Sequence, residues 1–270
     1  MTDAFQPIDH GPRANESAFG AFDPTPAGMS TRAAGDAARL LHAALPFVLR
    51  VADSEADLAR VQALRVRAYG HHLPGLAEVF GQPDPFDRSR DVTLFYAQDK
   101  ASGEFVGAAR FQTNVHGPLQ IERSLELPAS CQGRLLAEVT RLVVRPGYIP
   151  PVKLALVKAM HLFCIANQIG GVVAAARHSI TRQYLHLGFN DLYGDMRLVP
   201  MAHGSGMAHR VLFRDTVTSE ADARARGHPD YAFVFRTYHP DIQIFQPVLS
   251  QSHRGLASDA EHAAYSSKAA

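Results

Sequence analysis

Apolar residues recur along this chain with two different periods, and the places where the period changes mark the expected elements. Phe47–Ala52 is a short β-like run. Asp53 or Ser54 can then cap a helix that sets Leu58, Val61, Leu64 and Ala68 on one face and frays near Gly70. An earlier helix is predicted over Ala33–Leu45, stopped by Pro46. Val92–Ala97 and Glu104–Thr113, joined by Lys100-Ala101-Ser102-Gly103, predict an antiparallel hairpin. Leu135–Val144 reads as the next strand, and Pro151–Gln168 as a helix apolar nearly all round, which belongs inside the protein. Gly171–Ala176 predicts a strand and Ser179–Leu187 a helix ended by Gly188; Phe189–Tyr193, Val211–Thr216 and Tyr231–Thr237 read as later strands. Residues 1–33 and 250–270 show no periodicity and read as mobile tails around one main domain, 34–249.

Charge and cysteine content narrow the function classes. With 27 basic against 26 acidic residues, no global field favours nucleic acid or an anionic membrane. Cys131 and Cys164 are the only cysteines and form no CxxC pair, so neither a disulfide framework nor a zinc site is expected, and a reducing cytoplasm fits. The fourteen histidines lack the spacing and acidic company of a metal site. Lys153 and Lys158 interrupt the longest apolar stretch, which argues against a membrane span.

The chemistry concentrates in Glu138-Val139-Thr140-Arg141, two opposite charges inside a strand otherwise fit for burial. Charge in such a place costs free energy unless it is paired or used. Positions three apart on a regular strand face opposite ways, so Glu138 and Arg141 can serve one site only across a bulge. Arg65 and Tyr69, four apart, share a helical face, whereas Arg67 should point elsewhere into solvent.

The order of elements, with Arg182-Gln183-Tyr184-Leu185-His186-Leu187-Gly188-Phe189 closing it, resembles the GNAT acyltransferases over roughly Val48–Val217. That resemblance implies an α/β (α+β) fold, a central mixed and mostly antiparallel sheet flanked by helices, with a splay between Leu135–Val144 and Gly171–Ala176 that admits a pantetheine arm. Four ordered pieces resemble a narrower branch: Arg65-Val66-Arg67-Ala68-Tyr69, Asp84-Pro85-Phe86-Asp87, Gly107-Ala108-Ala109-Arg110 and Glu138-Val139-Thr140-Arg141. They are similar to the signature of acyl-homoserine-lactone synthases and of the related N-acyl amino acid synthases. The chain has no Trp, which the lactone synthases usually carry after the first helix; this favours the amino acid branch.

What the resemblance implies is attack of an amine on a thioester, with Glu138 accepting the amine proton, Arg141 in the catalytic group, and Tyr184 donating to the leaving thiol; a structural ion pair with a nearby arginine is the competing reading for Glu138, and packing of the ring an equal one for Tyr184. Arg65, Tyr69, Asp84, Asp87, Arg110 and Thr140 are candidates for holding the acceptor; for Asp84 and Asp87 a purely structural arginine network is an equal reading. The turn Arg145-Pro146-Gly147-Tyr148-Ile149-Pro150-Pro151 departs from the glycine-rich cradle of acetyl-CoA users. Its three prolines remove amide donors that a diphosphate would need. A phosphopantetheine tethered to acyl carrier protein has no such diphosphate, and Arg145, Lys153 and Lys158, with Arg134, Arg177 and Arg182 near them in sequence, could meet an acidic carrier. The expected reaction is transfer of a long fatty acyl group from acyl carrier protein to an amino acid, with no bound cofactor or metal. Two alternatives stay open: a lactone synthase using S-adenosylmethionine, and a GNAT-like module that binds an acyl ligand or partner without turnover.

Overall fold

Ser54 opens the first helix as expected: its Oγ accepts the Asp57 N–H at 3.1 Å. A computed structural model of the protein describes residues 41–72, 81–148, 151–204 and 206–245. In order these form β1 (Leu41–His42), β2 (Phe47–Val51), α1 (Glu55–His72), β3 (Val92–Asp99), β4 (Phe105–Thr113), β5 (Leu136–Val144), α2 (Pro151–Ala166), β6 (Gly171–Arg177), α3 (His178–His186), β7 (Asn190–Asp191), β8 (Val199–Pro200), β9 (Ala208–Asp215), α4 (Ser219–Ala225), β10 (Thr237–Tyr238) and β11 (Ile242–Gln243). The expected tails, and Ile149 and Pro150 of the proline-rich turn, lie outside the described residues.

The main sheet runs β11-β2-β3-β4-β5-β6-β9-β7, with β8 also on β9. Pairing is antiparallel except between β5 and β6 and between β11 and β2. Two faces of this sheet bury different partners. The apolar helix α2 packs on one, where Phe95, Ala109, Phe111, Ala137 and Val139 meet Val152, Leu156, Ala159 and Met160. On the other, α1 lays Val61 and Leu64 against Tyr96, Phe105, Ala108 and Val143. Among the described residues no helix is long and apolar enough to cross a membrane.

Close approach of α2 to the sheet depends on Gly107. A Cβ there would stand 2.3 Å from Val152 Cγ1, inside any real contact distance. Gly107→Ala is therefore expected to push α2 outward and cost about 1–3 kcal/mol, seen as a lower urea midpoint with an unchanged m value.

Two expected elements differ. Leu41–His42, assigned above to a helix over Ala33–Leu45, is a strand paired in parallel with Thr237–Tyr238; residues 33–40 lie outside the described residues. Tyr231–Thr237, expected as a strand, is a single wide helical turn over Ala232–Arg236 leading into β10. The reason lies in α2. Lys158 Nζ donates to Phe233 O at 2.8 Å and to Thr237 O, drawing those two carbonyls together across the helical turn. The described strand at 189–193 is also reduced to Asn190–Asp191.

Candidate active site

Glu138 sits in mid-β5 with no exposed surface, on the face that α1 covers. Its Oε2 accepts the Ile121 N–H at 2.9 Å, presented by the short 3-10 turn Gln120–Arg123. Burial pushes its pKa up to about 7, against the opposing pull of the Ile121 amide and the Arg110 charge. A carboxyl poised there can take or give a proton near neutrality, the condition a general base needs.

Arg110 on β4 stands opposite Thr140 of β5 in register and is 1% exposed. All three of its nitrogens are engaged. Nε donates to Thr140 Oγ1 at 2.9 Å, Nη2 to Gln120 Oε1 at 3.0 Å, and Nη1 to Asp84 Oδ2 at 2.6 Å and Asp87 Oδ1 at 3.2 Å. Asp87 is shared, since Arg65 Nη1 also pairs with it. Asp84 caps the 3-10 turn Pro85–Arg88 by accepting the Phe86 N–H at 3.0 Å, and the Phe86 ring lies 4.9 Å from the Arg110 guanidinium carbon. Thus three members of Asp84-Pro85-Phe86-Asp87 touch one buried arginine. Burial alone would raise the Asp84 carboxyl; its bonds to Arg110 and to the Phe86 amide hold it below the ordinary range.

The bulge that Glu138 and Arg141 require is present. Arg110 pairs with Thr140 but Ala108 pairs with Val143, so Arg141 and Leu142 together oppose Ala109. Arg141 takes a left-handed backbone, φ 55°, rare for a side chain of its size. The slip turns Arg141 toward the cluster: burial lowers its pKa, and the charges of Arg110 and Arg65 lower it further while Tyr69 and Asp84 act in the opposite sense. One step away, β5 and β6 pair in parallel only from Leu136–Gly171 to Val139–Ala174, although β5 continues to Val144 and β6 to Arg177. A gap therefore opens beside Thr140 and the bulge.

The structure brings Arg65, Tyr69, Asp84, Asp87, Arg110, Glu138, Thr140 and Arg141 into one network on one face of the sheet. Arg67 is exposed, as its helical position predicts. Arg65 is buried, and its Nε and Nη2 have no partner among the described residues. Tyr184 is packed in the core cluster with α2, edge-on to Phe189 at 5.4 Å; burial raises its hydroxyl pKa, with Tyr69 contributing. Two site residues, Gln112 and Gln120, escaped the sequence reading. Gln112 accepts the Gln120 N–H at 3.1 Å and donates to Pro118 O at 3.1 Å, fixing the turn that presents the Ile121 amide to Glu138. Its place two residues beyond Arg110 on one strand face could have flagged Gln112; nothing in Leu119-Gln120-Ile121 flags the turn.

Around the proline-rich turn, the Tyr148 N–H donates to Arg145 O at 3.1 Å and the Val152 N–H to Tyr148 O at 3.2 Å. Arg145 pairs with Glu104, and half-buried Lys153 donates to Gln183 Oε1 at 2.5 Å. Lys158, expected at the same rim, is 5% exposed and spends its ammonium on the carbonyls of Phe233 and Thr237. It is a buried strut of the core, and cannot meet a docking partner.

Among solved structures the chain is similar to FeeM, an N-acyl amino acid synthase from uncultured soil microbes, with a TM-score of 0.50 and 14% identity over 65% of this chain and 93% of that one. The fold is that of the GNAT acyltransferases. Similarity extends to BjaI, a CoA-dependent acyl-homoserine lactone synthase (TM-score 0.46, 16% identity, 72% of this chain and 93% of that one). It extends also to the aminoglycoside acetyltransferase AAC(6')-Ib (TM-score 0.46, 17% identity, 66% and 99%). No protein-family model and no curated protein matches the sequence. On this GNAT frame the candidate site lies at the β5–β6 gap, with the proline-rich turn leading from β5 into α2.

Proposed function

We propose that the protein is an N-acyltransferase that moves a long fatty acyl group from acyl carrier protein to the amine of an amino acid. The observation that carries this reading is Glu138: fully buried, poised near neutrality, and one residue from the end of the β5–β6 pairing. In the proposed reaction the acceptor arrives as an ammonium and Glu138, as carboxylate, takes one proton. The freed amine attacks the thioester carbonyl; the C–N bond forms, the C–S bond breaks, and the second proton of the nitrogen passes to the departing thiolate, with Tyr184 as the proposed relay, giving a proton to sulfur and taking one from nitrogen. The backbone edge of β5 that β6 abandons supports strand-like pairing with the pantetheine amides. The unpartnered Nε and Nη2 of Arg65 support a fork for the acceptor carboxylate, with Arg141 and Tyr69 beside it. Asp84, Asp87, Arg110 and Thr140 then hold that fork in place.

Two features favour a carrier protein over coenzyme A. Prolines replace amide donors in the turn, and the Tyr148 and Val152 amides are already used within it. Arg145 and Lys153 would face an acidic carrier surface. Incubation with acyl carrier protein thioesters of graded chain length and each of the twenty amino acids, read by mass, is expected to give one N-acyl amino acid, with the matching acyl-CoA at least about tenfold slower. Equal use of acyl-CoA would overturn the donor assignment. Lactone formed from S-adenosylmethionine would assign the protein to the lactone synthases, and saturable thioester binding without product would make it a binding module.

A further inference from the structure

Away from Glu138, a cavity of about 100 Å³ lies between α2, the Gly188 end of α3, β9, α4 and the turn before β10. Arg214 forms part of its wall and is 6% exposed. On β9 it stands opposite Val172, whose side chain joins the core under α2, so the guanidinium is sent toward that helix. There the Phe235 ring lies 5.8 Å from the guanidinium carbon, and Nε faces Gly188, where an added Cβ would come within 3.4 Å. Nε has no partner, and among the described residues the guanidinium makes no hydrogen bond and no ion pair. The group that acts on it electrostatically is Cys164, whose thiol burial pushes up to about 12 and so keeps neutral. His161 Nδ1 is also buried without a partner; its ring stands 5.1 Å from the same Phe235 ring and feels the Arg214 charge. A buried arginine is ordinarily matched to a carboxylate, because desolvating the cation is costly, so an anion admitted here would gain a pairing that the fold does not supply.

The other ionisable groups of the lining answer one another, and none of them is among the charges acting on Arg214. Asp215 is taken by Arg134 at 2.8 Å. Asp222 accepts the Thr218 hydroxyl at 2.8 Å, and its carbonyl accepts Nε of exposed Arg226 at 3.2 Å. Both ring nitrogens of His228 are used, Nε2 on His186 O at 2.6 Å and Nδ1 on the Asp230 N–H at 3.1 Å, while the Asp230 carboxylate stands 3.5 Å from the His186 ring. Asp222 and Asp230 set two carboxylates against the one guanidinium of Arg226, a rim that resists a doubly charged anion such as phosphate more than a singly charged one. Inside the rim the wall is apolar. His161 and Cys164, the neighbours of Arg214 on α2, continue at spacings of three and four into Val157 and Leu154 on one stripe of that helix, and Val234 and Phe235 line the cavity from the turn Ala232–Arg236. One guanidinium fork beside a hydrocarbon wall matches a carboxylate that carries a short apolar chain. We infer that this cavity binds a small monocarboxylate, its carboxylate on Arg214 and its hydrocarbon chain against Val157 and Leu154. The site shares no residue with the Glu138 network and does not rest on the reaction proposed there.

Arg65 offers carboxylates a second place, so the test has to report location. The chain contains no tryptophan, and Phe235→Trp places its only indole at this cavity. Titration with butanoate is expected to give a saturable change in its fluorescence. Butanamide, of the same shape without the charge, and inorganic phosphate should bind at least about tenfold more weakly, as should butanoate after Arg214→Met is added. Calorimetry of the unsubstituted protein and of Arg214→Met repeats the test without the reporter: one equivalent of bound butanoate should disappear with the arginine. Urea unfolding should give Arg214→Met a midpoint equal to or above that of the wild type, because the substitution removes an uncompensated buried cation, and this separates lost binding from lost fold. Absence of a saturable butanoate response, equal binding of butanamide or phosphate, undiminished binding after Arg214→Met, or a lowered midpoint, which would mean that the fold already balances the cation, would each overturn the inference.

Discussion

Glu138→Gln is expected to lower kcat by about 10²–10⁴-fold while leaving the protein folded and, at alkaline pH, more stable than the wild type. Glutamine keeps the shape of the side chain and can still accept the Ile121 N–H through Oε1, so the turn Gln120–Arg123 has no reason to move. What it loses is the ability to carry a proton. In the wild type kcat/KM should rise about tenfold per pH unit on the acid side and level off above about 7, where Glu138 becomes a carboxylate. The variant's residual rate should lack that limb.

The same burial makes a claim about stability. The Glu138 pKa is raised in the folded protein from its ordinary 4.5 to about 7, so between those values the native state holds a proton that the unfolded chain has released. Stability therefore falls as pH rises from about 4.5 to about 7 and stays lower beyond; the whole difference is on the order of 3 kcal/mol. Glu138→Gln escapes it. Urea unfolding should show the variant more stable by about 1–3 kcal/mol at pH 8 and nearly matched to the wild type at pH 5. Full turnover in the variant would remove Glu138 from the chemistry. Lost turnover without the gain at pH 8 would mean that burial does not hold its proton.

Much of this site was legible because two physical rules left few choices. Strand alternation forbids residues 138 and 141 from sharing a face, so assigning both to one site demanded a bulge, and Arg141 supplies it with a left-handed backbone. The four-residue spacing of Arg65 and Tyr69 placed both beside the sheet in the same way. The central order, from β2 to α3, followed from changes of period between 2 and 3.6. Burial was the harder quantity. Lys158 lies in an apolar helix whose pattern shows no preferred face, so sequence alone could not tell a rim lysine from one drawn inward by two backbone carbonyls. That inward lysine also undid the strand expected over Tyr231–Thr237. Alternating aromatics there fit a strand equally well, but in the folded chain Tyr231 and Phe235 pack at 5.7 Å across a helical turn. Gln112 and the turn it supports depend on contacts between segments, which no local period encodes.

Removing the Arg110 side chain charge should produce the largest loss of stability at the site. Arg110→Met leaves Asp84 and Asp87 without the guanidinium that neutralises them, and strips Thr140 and Gln120 of their donor. Breaking a buried pair from one side costs about 3–5 kcal/mol, and part of that should return in Arg110→Met with Asp84→Asn, where one stranded carboxylate is gone and Asp87 keeps Arg65. Arg110→Lys keeps the charge but cannot reach four groups from one ammonium, so it should fall between. The lysine and methionine variants also separate fold from chemistry. The Arg110 charge pulls the Glu138 pKa down, so its removal should send the acid limb of kcat/KM to higher pH, whereas lysine should leave the limb nearer its original place. A methionine variant that is less stable but keeps its limb near 7 would confine Arg110 to holding the entry turn. A shifted limb would show that the arginine sets the proton affinity of the carboxyl on which the proposed reaction turns.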